Sequence, residues 1–174
     1  MPNTICPQRP YIGFNATRWV GHKLTYNSNG AGAAGTITSN IYVPAYCYLV
    51  DVQLIGVTLW TGSSTIAAIV GDADDDNGFF VTTNLKSGGN LAAGQRLAIG
   101  AGTAMAGGQI GAYVASSAWV VGSGTYGPYA AVPRIITCKI TAAGTTTAGE
   151  THFVVGYREF DATEPLGTPV FAAT

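Results

Sequence analysis

Charge is scarce in this chain. Lys and Arg total 8 and Asp and Glu 9 among 174 residues, a charged fraction of 10%, against about 25% in a typical globular domain. No cluster of Lys and Arg occurs. That sets nucleic acid aside as a partner, because affinity for it grows with the number of phosphates neutralised. Apolar runs are also short of the roughly 18 residues that cross a bilayer as a helix, so no membrane partner is expected. The N-terminal MPNTICPQRPYIGF lacks the basic start and apolar stretch of a secretory signal. The cysteines are Cys6, Cys47 and Cys138, far apart and without a CxxC spacing, so neither a disulfide framework nor a zinc site is indicated. Cys47 and Cys138 lie in strand-like runs, where cysteine packs as a small hydrophobe. The cell interior or an assembled particle suits this usage better than a disulfide-built secreted module.

Signs of catalysis are few as well. His22 and His152 have no recognisable partner, and G-x-S-x-G is absent. GSGTYG at 122–127 is glycine-rich but has no phosphate-loop Lys. Asp51, Glu150 and Glu159 would supply a glycosidase-type carboxylate pair, but nothing in the sequence selects any two. No enzyme and no cofactor is expected.

What is present is apolar and strand-like. Hydrophobic residues make up 47%, and a chain of this length buries roughly 70% of its unfolded surface as one domain. Residues 1–33 read as an extended N-terminal arm. Pro2, Pro7 and Pro10 interrupt them, yet Tyr11, Ile12, Phe14, Trp19 and Val20 are the side chains of a segment lying on another surface. Residues 34–174 read as the β domain. TITSNIYV (36–43) is β-branched. YCYLVDVQLIGVTLW (46–60) alternates, with Tyr46, Tyr48, Val50, Val52 and Leu54 on one face. Gly56 marks a bulge or kink. TIAAIVG (65–71), FFVTT (79–83), RLAIG, QIGAYVAS and AWVVG read as further short strands. PRIITCKITAAG and ETHFVVGYREF read as an antiparallel hairpin, with Ile136, Cys138 and Ile140 on one face and Phe153, Val155 and Tyr157 on another. The fold class is all-β: an antiparallel β-sandwich, jelly-roll-like, with the arm attached.

Four of the nine carboxylates, Asp72, Asp74, Asp75 and Asp76, stand within five positions. Asp72, Asp74 and Asp76 fit the first, third and fifth positions of an EF-hand loop. Asn77 stands where its glycine belongs and Thr83 where its bidentate Glu belongs, and the flanks are strand-like. A looser calcium loop on Asp72, Asp74 and Asp76 stays open beside the plainer reading of a strand-joining turn. Trp60, Trp119, Tyr126 and Tyr129 are candidate sugar-stacking platforms, against core or subunit interface.

At this stretch the chain resembles a family. TLWTGSSTIAAIVGDADDDNGFFVTTNL (58–85), following YVPAYCYLVDVQLIGV (42–57) and closed by FVVGYREF (153–160), is similar to small virion proteins of tailed bacteriophages. These are the decoration (cement) and head-fibre types, and the likeness covers roughly residues 36–160. The resemblance implies a homotrimeric β-sandwich on the outer surface of the capsid, made in the host cytoplasm and partnered with the major capsid protein. It implies that the Asp-rich segment joins two strands. The arm residues Tyr11, Ile12, Phe14, Trp19 and Val20 would then bind the capsid. A host-recognition or fibre-base module binding surface glycans is the alternative.

Overall fold

The computed structural model describes residues 17–28, 32, 34–62, 65–86, 89, 91–99, 110–115 and 129–159. Nine strands follow in order: β1 (Arg18–Thr25), β2 (Gly35–Val43), β3 (Cys47–Gly62), β4 (Ile66–Gly71), β5 (Phe80–Asn84), β6 (Arg96–Ala98), β7 (Tyr129–Ala130), β8 (Arg134–Ala142) and β9 (Thr146–Glu159). A single helical turn, α1 (Ala112–Ala115), stands between β6 and β7. The strands form two sheets, β1-β9-β3-β6 with β7 beside β3, and β2-β8-β4-β5. Every strand pair is antiparallel. Successive strands repeatedly cross between the sheets, and this interleaved order is that of a jelly roll.

Alternation explains the packing. In β2, Ile37, Ser39, Ile41 and Val43 point inward while Thr36, Thr38, Asn40 and Tyr42 point out. In β8 the inward set is Ile136, Cys138, Ile140 and Ala142. These meet Leu49, Val52, Leu54, Phe153 and Val155 of the other sheet in one continuous core. Burial of the Cys138 thiol pushes its pKa up to about 12, so it packs as a neutral hydrophobe.

The structure corrects four expectations. The runs at 133–144 and 150–160 are not a hairpin: β8 pairs with β2 and β4, and β9 with β1 and β3. Alternation marks one apolar face per strand, and two such faces can meet across a core as well as lie side by side. Second, β3 does not keep one inward face. Cys47 and Leu49 point in, then Val52 and Leu54 do, because a register shift between Leu49 and Asp51 leaves Val50 as an extra residue. A second shift follows Gly56, as its glycine suggested. Third, QIGAYVAS holds one bridge, Ile110 to Phe80, and then α1 rather than a strand. Fourth, residues 18–25 belong to the domain and not to the arm, since β1 pairs along its whole length with β9.

Trp60 shows how closely β3 and β9 fit within one sheet. It is buried, and its Nε1 donates to Thr151 Oγ1 at 2.8 Å. Its ring lies against Gly149, where φ is 151° and a Cβ would overlap the indole. Only glycine meets both conditions.

Candidate interaction surface

Antiparallel pairing brings the start of β1, the end of β2, the start of β3, the start of β8 and the end of β9 to one end of the sandwich. Among the described residues seven large hydrophobic side chains are exposed: Trp19, Tyr42, Tyr46, Tyr48, Val57, Val132 and Ile135. All but Val57 lie at or beside that end, Trp19 and Tyr48 on the outer face of one sheet and Tyr42 and Ile135 on the outer face of the other. Exposed apolar side chains scattered singly are ordinary, whereas a group of them marks a contact surface.

Each is held by its element. Tyr42 and Ile135 stand opposite one another on the outer face of the β2–β8 pair. Tyr48 pairs with Tyr129 of β7 on one side and Arg158 of β9 on the other. Between them, Tyr46 has φ 58°, a left-handed conformation that a bulky residue rarely adopts. Its N–H donates to Ala130 O at 2.8 Å, which ties the β2–β3 turn to β7. Val132 enters β8 from the turn after β7 and is 66% exposed. Trp19 lies across Gly156 of β9, where a Cβ would come within 2.6 Å of its ring.

The charges on β1 and β9 at this end are paired, and the acidic β4–β5 turn lies toward it. Arg18 pairs with Glu159 at 3.2 Å, and Arg158 Nε donates to Thr17 Oγ1 at 3.0 Å. Burial raises the pKa of the Cys47 thiol and the Tyr157 hydroxyl; Glu159 adds to both and Arg18 opposes. Both groups stay neutral near pH 7.

Of the arm residues singled out in the sequence, Trp19 is exposed here and Val20 is half-buried against the core. Tyr11, Ile12 and Phe14 lie outside the described residues, as do Trp119 and Tyr126. Trp60 is not a stacking platform, being 2% exposed and hydrogen-bonded inside the sandwich. Sequence reasoning assigned no role to Ile135 or Val132 and treated Tyr42 as an ordinary strand residue. The signal was available: each of Tyr42 and Ile135 is a large apolar residue on the polar side of an alternating strand.

The acidic stretch is a turn between β4 and β5. Asp72 Oδ1 accepts from the N–H groups of Asp74 (3.1 Å) and Asp75 (3.2 Å) and from Tyr113 Oη (2.7 Å). Asp75 Oδ1 accepts from Asn77 N–H, and Asp76 pairs with Lys139 at 3.1 Å. α1 clamps the turn from above: Gly111 N–H donates to Phe79 O, Tyr113 N–H to Gly78 O, and the Tyr113 ring meets Phe79 edge-on. The carboxylates thus act as local acceptors for backbone donors. Among the described residues no group of three or more His, Cys, Asp or Glu side chains converges as a metal site.

Two polar groupings were not foreseen. His22 Nδ1 lies 2.8 Å from Ser39 Oγ, linking β1 to β2 across the sandwich edge. Glu150 accepts from Lys23 and contacts His152, each at 2.9 Å. Those two hydrogen bonds hold the Glu150 carboxyl below its usual range. The serine lies at the middle of a strand and points inward, a poor placement for a nucleophile, and the Glu150 group binds one strand to the next.

No protein-family model matches the chain, and no curated protein sequence matches it. Among solved structures it is similar to a chain of the cyanophage Pam1 capsid asymmetric unit, with a TM-score of 0.52 and 15% identity over 92% of this chain and 100% of that one. It is also similar to a chain of the acidic stable capsid structure of Helicobacter pylori bacteriophage KHP30, with a TM-score of 0.41 and 14% identity over 82% of this chain and 93% of that one. The first likeness shows a shared fold that runs the full length of the Pam1 chain.

Proposed function

We propose that this chain is a non-enzymatic structural protein of a phage virion. It acts as a homotrimeric decoration or cement protein bound to the major capsid protein on the outer surface of the assembled head. It is made in the host cytoplasm. The observation that carries this reading is the gathering of Trp19, Tyr42, Tyr46, Tyr48, Val132 and Ile135 at one end of a jelly roll. A fold shared along the full length of a capsid chain supports it.

Aromatic anchors supply most of the binding energy in protein interfaces, because they bury large areas at low entropic cost. β1 begins at this end, so the segment carrying Tyr11, Ile12 and Phe14 is attached to the domain there. Three linked copies gain avidity without any single strong contact. Binding the shell alone stabilises it by mass action, by about 2.7 kcal/mol per site at roughly 100 times the dissociation constant.

The test is co-sedimentation of the purified chain with empty shells that lack it. Removal of residues 1–16 leaves β1 intact and is expected to weaken shell binding, as is Tyr42→Ser with Ile135→Ser. Undiminished binding by both variants would overturn the reading. The three exposed tyrosines favour a second reading, a host-recognition module for surface glycans. Glycan binding lost on Tyr46→Ser, with no affinity for shells, would establish that one instead.

A further inference from the structure

We infer that the outer edge of β2 is a two-fold contact between two copies of this chain. Strand edges carry unpaired N–H and C=O groups, and proteins blunt them by shortness, charge, proline or bulges. Three of the four sheet edges here are blunted. The edge beside β3 is formed by β6, three residues that include Arg96, and by the two-residue β7. β5 has five, and its pairing with β4 is broken by a register shift. β1 carries Arg18, His22 and Lys23, with ion pairs to Glu159 and Glu150.

β2 has none of these devices. Its nine residues, GTITSNIYV, include no charge and no proline. Its pairing with β8 is unbroken from Gly35 opposite Ala142 to Val43 opposite Arg134. Among the described residues no other strand pairs with it. At about 3.3 Å per residue it offers an edge roughly 30 Å long.

The occupant follows from the same comparison. A second copy brings four edges, and the one that matches an undefended edge is its own β2. The strand is also complementary to itself. Antiparallel pairing about Ser39 sets Ile37 opposite Ile41 on the inner face. On the outer face it sets Thr38 opposite Asn40 and Thr36 opposite Tyr42. No charges are opposed. A self-matching contact closes after two copies and does not propagate into fibres. The β2-β8-β4-β5 sheet then continues across the axis into the second copy. The neighbouring β1 strands approach with their cations already paired to Glu150 and Glu159.

The contact does not depend on the virion reading. If the chain is also trimeric, the two-fold joins trimers in pairs. Light scattering of the full chain near its solubility limit is expected to give an even number of protomers. Thr38→Lys with Asn40→Lys places four like charges at the axis and is expected to halve that mass, as is Thr38→Asp with Asn40→Asp. Both positions face outward, so the two variants keep the wild-type circular dichroism. Mixing them in equal amounts is expected to restore the original mass. An odd protomer number in the wild type, unchanged mass in both variants, or no reassociation on mixing would overturn the contact.

Discussion

The two ends of the sandwich are built on different plans. At one end the connections are short and polar. Thr25 and Ser28 close the turn after β1, Thr146 N–H donates to Gly32 O at 2.8 Å, and Ala143 N–H donates to Thr65 O at 3.1 Å. Trp60, Thr151 and Gly149 lock β3 to β9 just beneath. At the opposite end stand the exposed aromatic and aliphatic side chains and a tyrosine in a left-handed conformation. The first end satisfies its own backbone and side chains. The second leaves apolar area facing water, which is unfavourable unless another molecule covers it. One end keeps the fold; the other is free to bind.

Substitutions can break that division. The largest loss of stability is expected from Trp60→Ala beneath the polar end. It leaves a cavity and removes the partner of Thr151, costing about 3–5 kcal/mol in denaturant unfolding. Gly149→Ala strains the backbone and pushes into the indole, and about 1–3 kcal/mol is expected from the same measurement. At the aromatic end, Tyr42→Ser with Ile135→Ser is expected to move stability by no more than about 0.5 kcal/mol while weakening shell binding tenfold or more. A large fall in stability there would mean that this end, too, serves the fold. Cys138 is expected to resist thiol reagents until the chain unfolds, with labelling that follows the unfolding rate.

The smallest effect concerns acid. The folded Glu150 carboxyl is held below its usual range by Lys23 and His152. Its contribution is therefore present above the unfolded-state pKa and is lost as pH falls through the lower folded value. Glu150→Gln is expected to lower the melting temperature slightly at neutral pH and to leave it little changed at the acid extreme, which flattens the acid limb of the profile.

Much of the fold is legible in the sequence because alternation reports burial directly. TITSNIYV and PRIITCKITA show their inward faces plainly, and β4 and β5 flank the acidic turn where the apolar runs put them. Pairing is harder to read. The β8 and β9 runs are contiguous and each has one apolar face, and nothing local says whether those faces share a sheet or oppose one another. The bulge at Val50 is hidden because Val is at home on either side of a strand. Trp19 looked like part of an arm because Pro and Asn surround the region, while its pairing with β9 is set more than a hundred residues away. The interaction surface was partly visible through Trp19. Tyr42 and Ile135 needed the polar face of each strand to be read as carefully as the apolar one.

The most direct test of the proposed virion role is cryo-electron microscopy of virus particles purified from cells that make this chain. The jelly roll should appear on the outside of the head, with Tyr42, Tyr46, Tyr48 and Ile135 in contact and the β8–β9 turn facing away. A particle without the chain, or one that presents this aromatic end bare to solvent, would contradict the account.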